Sequence, residues 1–134
     1  MSTFVDTSAL IAVLDAGDDE HKAARAIWAA LLSAQEMLVT SNYVIVETAA
    51  LVQRRLGMEA LAGLCDETLP VIEILWVTCE EHDAALRAVL AAGRRKLSLV
   101  DCVSFEVMRR RHFREVFAFD PHFAEQGFAL VTVT

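Results

Sequence analysis

The sequence is short of cysteine, proline, glycine and long apolar runs. Its three cysteines, Cys65, Cys79 and Cys102, are odd in number and form no Cys-x-x-Cys pair. That argues against a disulfide framework or a zinc site and for a reducing, cytoplasmic setting. Two prolines and five glycines among 134 residues, with 55% hydrophobic and 23% charged side chains, exclude a disordered chain and fit a folded one. No apolar run approaches the roughly 18 residues that cross a bilayer, so no membrane partner is expected. The first residues lack a basic region, an apolar segment and a small-residue cleavage site, so no secretory signal is expected either. Repeats, linkers and low-complexity stretches are missing, and the length predicts a single domain over residues 1–134. Only two lysines occur, Lys22 and Lys96, and neither follows a late apolar run. A phospho-receiver domain needs such a lysine beside its acidic pocket, which argues against that class.

Charge is unevenly spread. The net charge of −7 speaks at first against a nucleic-acid partner. Yet residues 94–114 hold seven bases against Asp101 and Glu106, while residues 6–20 hold five acids and no base. A chain polarised in this way can be acidic overall and still offer phosphates a basic surface.

Short β-forming runs occur at 3–6, 37–40, 71–78, 116–120 and 128–134, separated by longer stretches of helical period. In 18–34 the period puts Ala23, Ile27, Ala30 and Leu31 on one stripe. The segments 42–57 and 79–93 each end in a glycine, and 98–113 opens on Ser98 and closes in arginines. Strands alternating with helices, without Asn-Gly hairpin turns, imply crossovers and a mostly parallel sheet covered on both faces. The expected fold is a three-layer α/β/α sandwich with four to five parallel strands. Ligands in such sheets bind beyond the carboxyl ends of the strands.

Four acids follow apolar runs at places of that kind. Asp6 ends "TFVD", Glu47 lies one to two turns into the helix after "MLVT", Asp101 is in the first turn of the helix opened by Ser98, and Asp120 ends "VFAFD". Each also has an ordinary structural reading. Asp6 could accept hydrogen bonds from the following helix, Ser98 and Asp101 could form a capping box, and Asp120-Pro121 could start a helix. Glu47 could be a solvated helix residue, but its apolar neighbours imply a helix buried over most of its girth, where a lone carboxylate is costly. Four separate structural roles at equivalent places explain less than one shared site. Clustered carboxylates repel and raise one another's pKa unless a cation compensates. Mg²⁺ or Mn²⁺ suits oxygen ligands, and the chemistry that follows is metal-assisted phosphodiester hydrolysis.

The segments "FVDTSALIAVL", "SNYVIVETAALVQRRLG", "LSLVDCVSFEVMRRR" and "VFAFDPHFAEQGF" together resemble the PIN-domain ribonucleases, and among them the VapC-type toxins of toxin–antitoxin pairs. The likeness runs through nearly the whole chain, in order. It implies a Mg²⁺- or Mn²⁺-dependent endoribonuclease acting on single-stranded or looped RNA, with Asp6, Glu47, Asp101 and Asp120 as the metal-binding quartet. It further implies that Ser8 supports a ligand carboxylate or water, with Asn42 and Ser104 as weaker candidates for that role, and that the protein is a homodimer held in check by an antitoxin. A PIN nuclease of RNA processing, or a non-catalytic binding module with the same fold, remain the alternatives.

The basic side chains Arg94, Arg95, Lys96, Arg110, Arg111 and Arg114 are the candidate RNA contacts. Arginines at a helix end also simply complement its dipole. None of His21, His82, His112 and His122 forms a metal-ligand pair at helical spacing; His122 lies closest in sequence to the quartet. Trp28 and Trp76 read as core or dimer-interface residues. Asp18, Asp19 and Glu20 read as acids of a helix first turn, without a catalytic role.

Overall fold

The structure, a computed structural model, describes residues 2–132. Five parallel strands, β1 (Ser2–Val5), β2 (Met37–Ser41), β3 (Glu73–Leu75), β4 (Glu115–Phe117) and β5 (Ala129–Leu130), form one sheet in the order β3-β2-β1-β4-β5. The register pairs Phe4 with Val39 on one side and with Val116 on the other. The helices are α1 (Thr7–Leu14), α2 (His21–Ser33), α3 (Asn42–Leu56), α4 (Met58–Gly63), α5 (Cys79–Ala92), α6 (Leu99–Arg110) and α7 (His122–Glu125). A π-helical turn at Leu64–Thr68 and a 3₁₀ turn at Leu69–Val71 lead into β3.

Consecutive residues of a strand point to opposite faces. Thr3, Phe4 and Val5 are all buried, as are Leu38, Val39 and Thr40, so helices cover both faces of the central strands. The α/β class and the parallel sheet expected from the sequence are what the structure has. The apolar runs exceed the strands they contain: 71–78 yields only three strand residues, and 128–134 yields two, with 133 and 134 outside the described residues.

Two helices differ from expectation. The buried stripe of α2 is Ala24, Ile27 and Leu31, while Ala23 and Ala30 face solvent. Helix α3 is not buried around its girth: only Val44, Thr48 and Val52 are buried, and Val46 is 69% exposed. A glance at composition overstates burial because every third or fourth residue suffices to anchor a helix. Gly93, at φ 59°, closes α5 in the left-handed region that favours glycine and turns the chain towards α6.

The topology places a site. β1 connects towards β2 on one side, whereas its other neighbour, β4, comes late in the chain, so the strand order reverses between β1 and β4. Beyond the carboxyl ends of that pair the connecting segments diverge and leave a crevice.

Candidate active site

That crevice is a cleft of about 570 Å³. Asp6, Glu47, Asp101 and Asp120 all line it. Asp6 follows β1 directly and its backbone N–H donates to Phe117 O of β4 at 3.0 Å, which fixes the start of α1 against the neighbouring strand. Its two carboxylate oxygens have different work. Oδ2 accepts from Ser8 N at 3.1 Å and from Ser8 Oγ at 2.6 Å, and so caps α1. Oδ1 is buried and has no hydrogen-bond partner. Ser8 Oγ in turn accepts from Phe119 N at 2.9 Å, so this one hydroxyl ties Asp6 to the segment that carries Asp120.

Asp101 sits in a complete capping box. Its N–H donates to Ser98 Oγ and its Oδ2 accepts from Ser98 N, both at 3.1 Å. Asp120 Oδ1 accepts from His122 N at 2.9 Å. The capping roles and the shared cleft are therefore not alternatives. One oxygen of each carboxylate secures the local turn, and the group as a whole still faces the crevice.

Electrostatics mark the cleft as short of positive charge. Burial pushes the Asp6 carboxyl from its ordinary 3.8 up to about 7; the Ser8 hydrogen bonds oppose this, while the charges of Asp101 and Asp120 add to it. Asp101 is likewise raised, first by burial and then by Asp120 and Glu47, against the lowering pull of its Ser98 bonds. A buried carboxylate oxygen without a donor, among other acids, is a place where a hard divalent cation fits.

Further groups lie at or beside the cleft. Asp18, Asp19 and Glu20 lie before α2, not in its first turn, and line the rim. Arg55, in the last turn of α3, and Lys96 supply its cations. His122 does not line the cleft but lies behind two of its acids: its Nδ1 is 3.0 Å from Asp120 Oδ1 and 3.8 Å from Asp101 Oδ2. The signal for His122 was its two-residue distance from Asp120; for Arg55, only its helical spacing from Glu47, eight positions on and so on the same side of α3, could have pointed there.

Several expected site residues are elsewhere. Asn42 Oδ1 accepts from Val77 N at 2.9 Å and so ties α3 to the segment after β3. Ser104 is fully buried and its Oγ bonds to none of the acids. Of the basic candidates, only Lys96 lines the cleft. Arg94 pairs with Glu125 at 3.0 Å, Arg95 is exposed away from it, and Arg110 pairs with Glu106 one turn back. Arg111 grips Glu81 with two nitrogens, at 2.7 and 3.0 Å, and reaches Trp76 O at 2.9 Å. Arg114 lies with Ser2 and Glu115 at the amino end of the sheet, the edge opposite the acids. Trp28 packs on Phe117 with ring centres 6.5 Å apart, whereas Trp76 is 70% exposed.

A parallel five-stranded sheet with carboxylates gathered where its strand order reverses defines an acidic-cleft α/β domain. The PIN domain family matches residues 3–129, and the chain belongs to that family. It is 36% identical, over 96% of both chains, to the 23S rRNA-specific endonuclease VapC20 of Mycobacterium tuberculosis. The crystal structure of that protein, described as a sarcin-ricin loop cleaving toxin, superposes with a TM-score of 0.85 over 98% of this chain and 99% of the other, at 34% identity. VapBC2 of Rickettsia felis, solved on a DNA fragment from its promoter, shares the fold at 13% identity, with a TM-score of 0.70 and 98% of each chain covered.

Proposed function

We propose that this chain is a metal-dependent endoribonuclease that hydrolyses RNA phosphodiester bonds, and the toxin of a toxin–antitoxin pair. The observation that carries the reading is the unsatisfied Oδ1 of Asp6 in a cleft shared with Glu47, Asp101 and Asp120. The likeness to an rRNA endonuclease along almost the whole chain supports it. Asp6 and Asp101 would be the first ligands of Mg²⁺ or Mn²⁺, with Glu47 and Asp120 completing the centre. When bound, such an ion offsets the carboxylate charge and lowers the pKa of a water for attack on phosphorus.

The chain's own side chains do the positioning. Ser8 holds one oxygen of Asp6, which leaves the other without a hydrogen-bond partner and available to an ion. The Ser98 box fixes Asp101 at the first turn of α6. Lys96 and Arg55 are the cations at hand to bind the phosphates of an RNA strand, and the acids 18–20 at the rim keep that strand from lying there without them. A structured rRNA loop is the substrate class the reading favours. The antitoxin is expected to fill the same cleft, and a homodimer in the cytoplasm is the expected state. Among the described residues, no helix is long and apolar enough to cross a membrane.

The test is cleavage of a mixed RNA pool that includes ribosomal RNA, with Mn²⁺, Mg²⁺ or EDTA, by the wild type and by Asp101→Asn. Cleavage that requires metal and falls by a factor of about 100 or more in the variant is the expected outcome. Full activity of Asp101→Asn, or activity in EDTA, would overturn the reading.

A further inference from the structure

His122 does not itself line the cleft, yet its ring lies directly against two of the acids that do, and the quartet has no use for it. It does not behave as a surface histidine. Its side chain is only 13% exposed, and Nδ1 is fully buried. That nitrogen lies 3.0 Å from Asp120 Oδ1 and 3.8 Å from Asp101 Oδ2, yet it is aligned to donate a hydrogen bond to neither. A buried ring nitrogen without a hydrogen-bond partner beside two carboxylates is placed where a cation could be shared among them.

We propose that His122 Nδ1 is a metal ligand, so that the centre contains a position of mixed nitrogen and oxygen donors, Asp101, Asp120 and His122, beside the all-oxygen position at Asp6. The proposal rests on the reading of the cleft as a metal centre. Distances fit it. Ligand atoms of the three residues all lie within 4.8 Å of one another. Around an ion with bonds of about 2.1 Å, adjacent ligands are roughly 3.0 Å apart and opposite ones roughly 4.2 Å. The two Nδ1 distances fall at and between these values. The unpartnered Oδ1 of Asp6, in a residue 2% exposed, independently calls for positive charge in the same cleft.

The histidine is also held rigidly, as a ligand should be. Its backbone N–H donates to Asp120 Oδ1 at 2.9 Å, and the next residue, Phe123, is buried edge-on to Phe105 with ring centres 5.0 Å apart. The donor set has a consequence for metal choice. Carboxylate and water suit Mg²⁺, whereas imidazole nitrogen favours Mn²⁺ and the later first-row ions over it. The mixed position therefore discriminates between the two ions proposed for the reaction.

The experiment is pulsed electron paramagnetic resonance of the full chain loaded with Mn²⁺, with calorimetric titration by Mn²⁺ and by Mg²⁺, on the wild type, Asp6→Asn, His122→Gln and His21→Gln. The wild-type spectrum is expected to carry nitrogen-14 coupling from a histidine, kept in His21→Gln and lost in His122→Gln. In His122→Gln one Mn²⁺ affinity should fall about tenfold or more, with Mg²⁺ affinity nearly unchanged. Mn²⁺ that binds and depends on Asp6 but shows no nitrogen coupling overturns the ligand and leaves the metal centre standing. Coupling that persists in His122→Gln also overturns it. No Mn²⁺ binding at all overturns both. The wild-type spectrum decides even where His122→Gln does not fold.

Discussion

Asp6 divides its carboxylate between two tasks. Oδ2 caps α1 through Ser8, a structural service that any N-cap aspartate gives. Oδ1 is buried without a donor, which costs stability and is retained where a ligand completes it. The consequence is measurable. With its pKa raised from 3.8 to about 7, Asp6 binds its proton more tightly in the folded chain than in the unfolded one. Stability from this group is thus full below about pH 4 and lost as pH rises to about 7, by up to about 4 kcal/mol. In EDTA, urea unfolding should give a more stable protein at pH 5 than at pH 8. At pH 8, Mn²⁺ or Asp6→Asn should recover most of the difference. A flat profile between these pH values would contradict the burial of a lone carboxylate here.

Helix α6 shows why the arginines at the end of the basic run do not share the cleft with the acids. Asp101 is in its first turn and Arg111 follows its last residue, and a helix of 12 residues spans about 18 Å. The arginine end serves the fold. Burial alone would raise the Glu81 carboxyl, but the Arg111 bonds and charge and the Thr78 N–H outweigh it and hold the carboxyl below its usual 4.5. That depressed carboxyl contributes stability above about pH 4.5 and loses it in more acid solution, a window separate from that of Asp6. Arg111→Ala should cost about 2–4 kcal/mol in chemical unfolding, since Glu81 would be left buried and unpaired, and should leave kcat of the folded enzyme unchanged. Lys96→Ala should do the reverse: little change in stability, and a KM for RNA raised severalfold, more so at low salt. Seven bases within 21 residues were plain in the sequence. Which of them had carboxylate partners was not, because Glu81 and Glu125 are brought to Arg111 and Arg94 from 30 and 31 positions away.

For the whole molecule, most of the net charge of −7 gathers at the cleft, whose lining sets seven acids against Arg55 and Lys96. An isolated cleft of this kind repels RNA, so cations must offset it before substrate can enter, and binding should depend on divalent ions as well as on Lys96 and Arg55. The proposed dimer draws support from large apolar side chains left in solvent, Leu90 at 76% and Val46 at 69% exposed. Leu90→Glu is expected to shift the protein from dimer to monomer in light scattering coupled to size exclusion, with the fold retained by circular dichroism. A variant that stays fully dimeric would move the interface away from the exposed end of α5.

Period and punctuation in the sequence determined the α/β class, the parallel sheet, and the place of Asp6, Asp101 and Asp120 just beyond strands or at a helix start. Those are local properties: strands and caps are set by neighbours within a few residues. Only the tertiary structure decided what those acids meet. The reversal of strand order between β1 and β4 brought Asp6 and Asp120 together, and the turn after β4 set His122 against Asp120 and Asp101. It also sent Asn42 to Val77 and five of the six basic candidates away from the acids. Pairing of side chains separated by tens of residues depends on how the layers pack, and no periodicity in the chain encodes it.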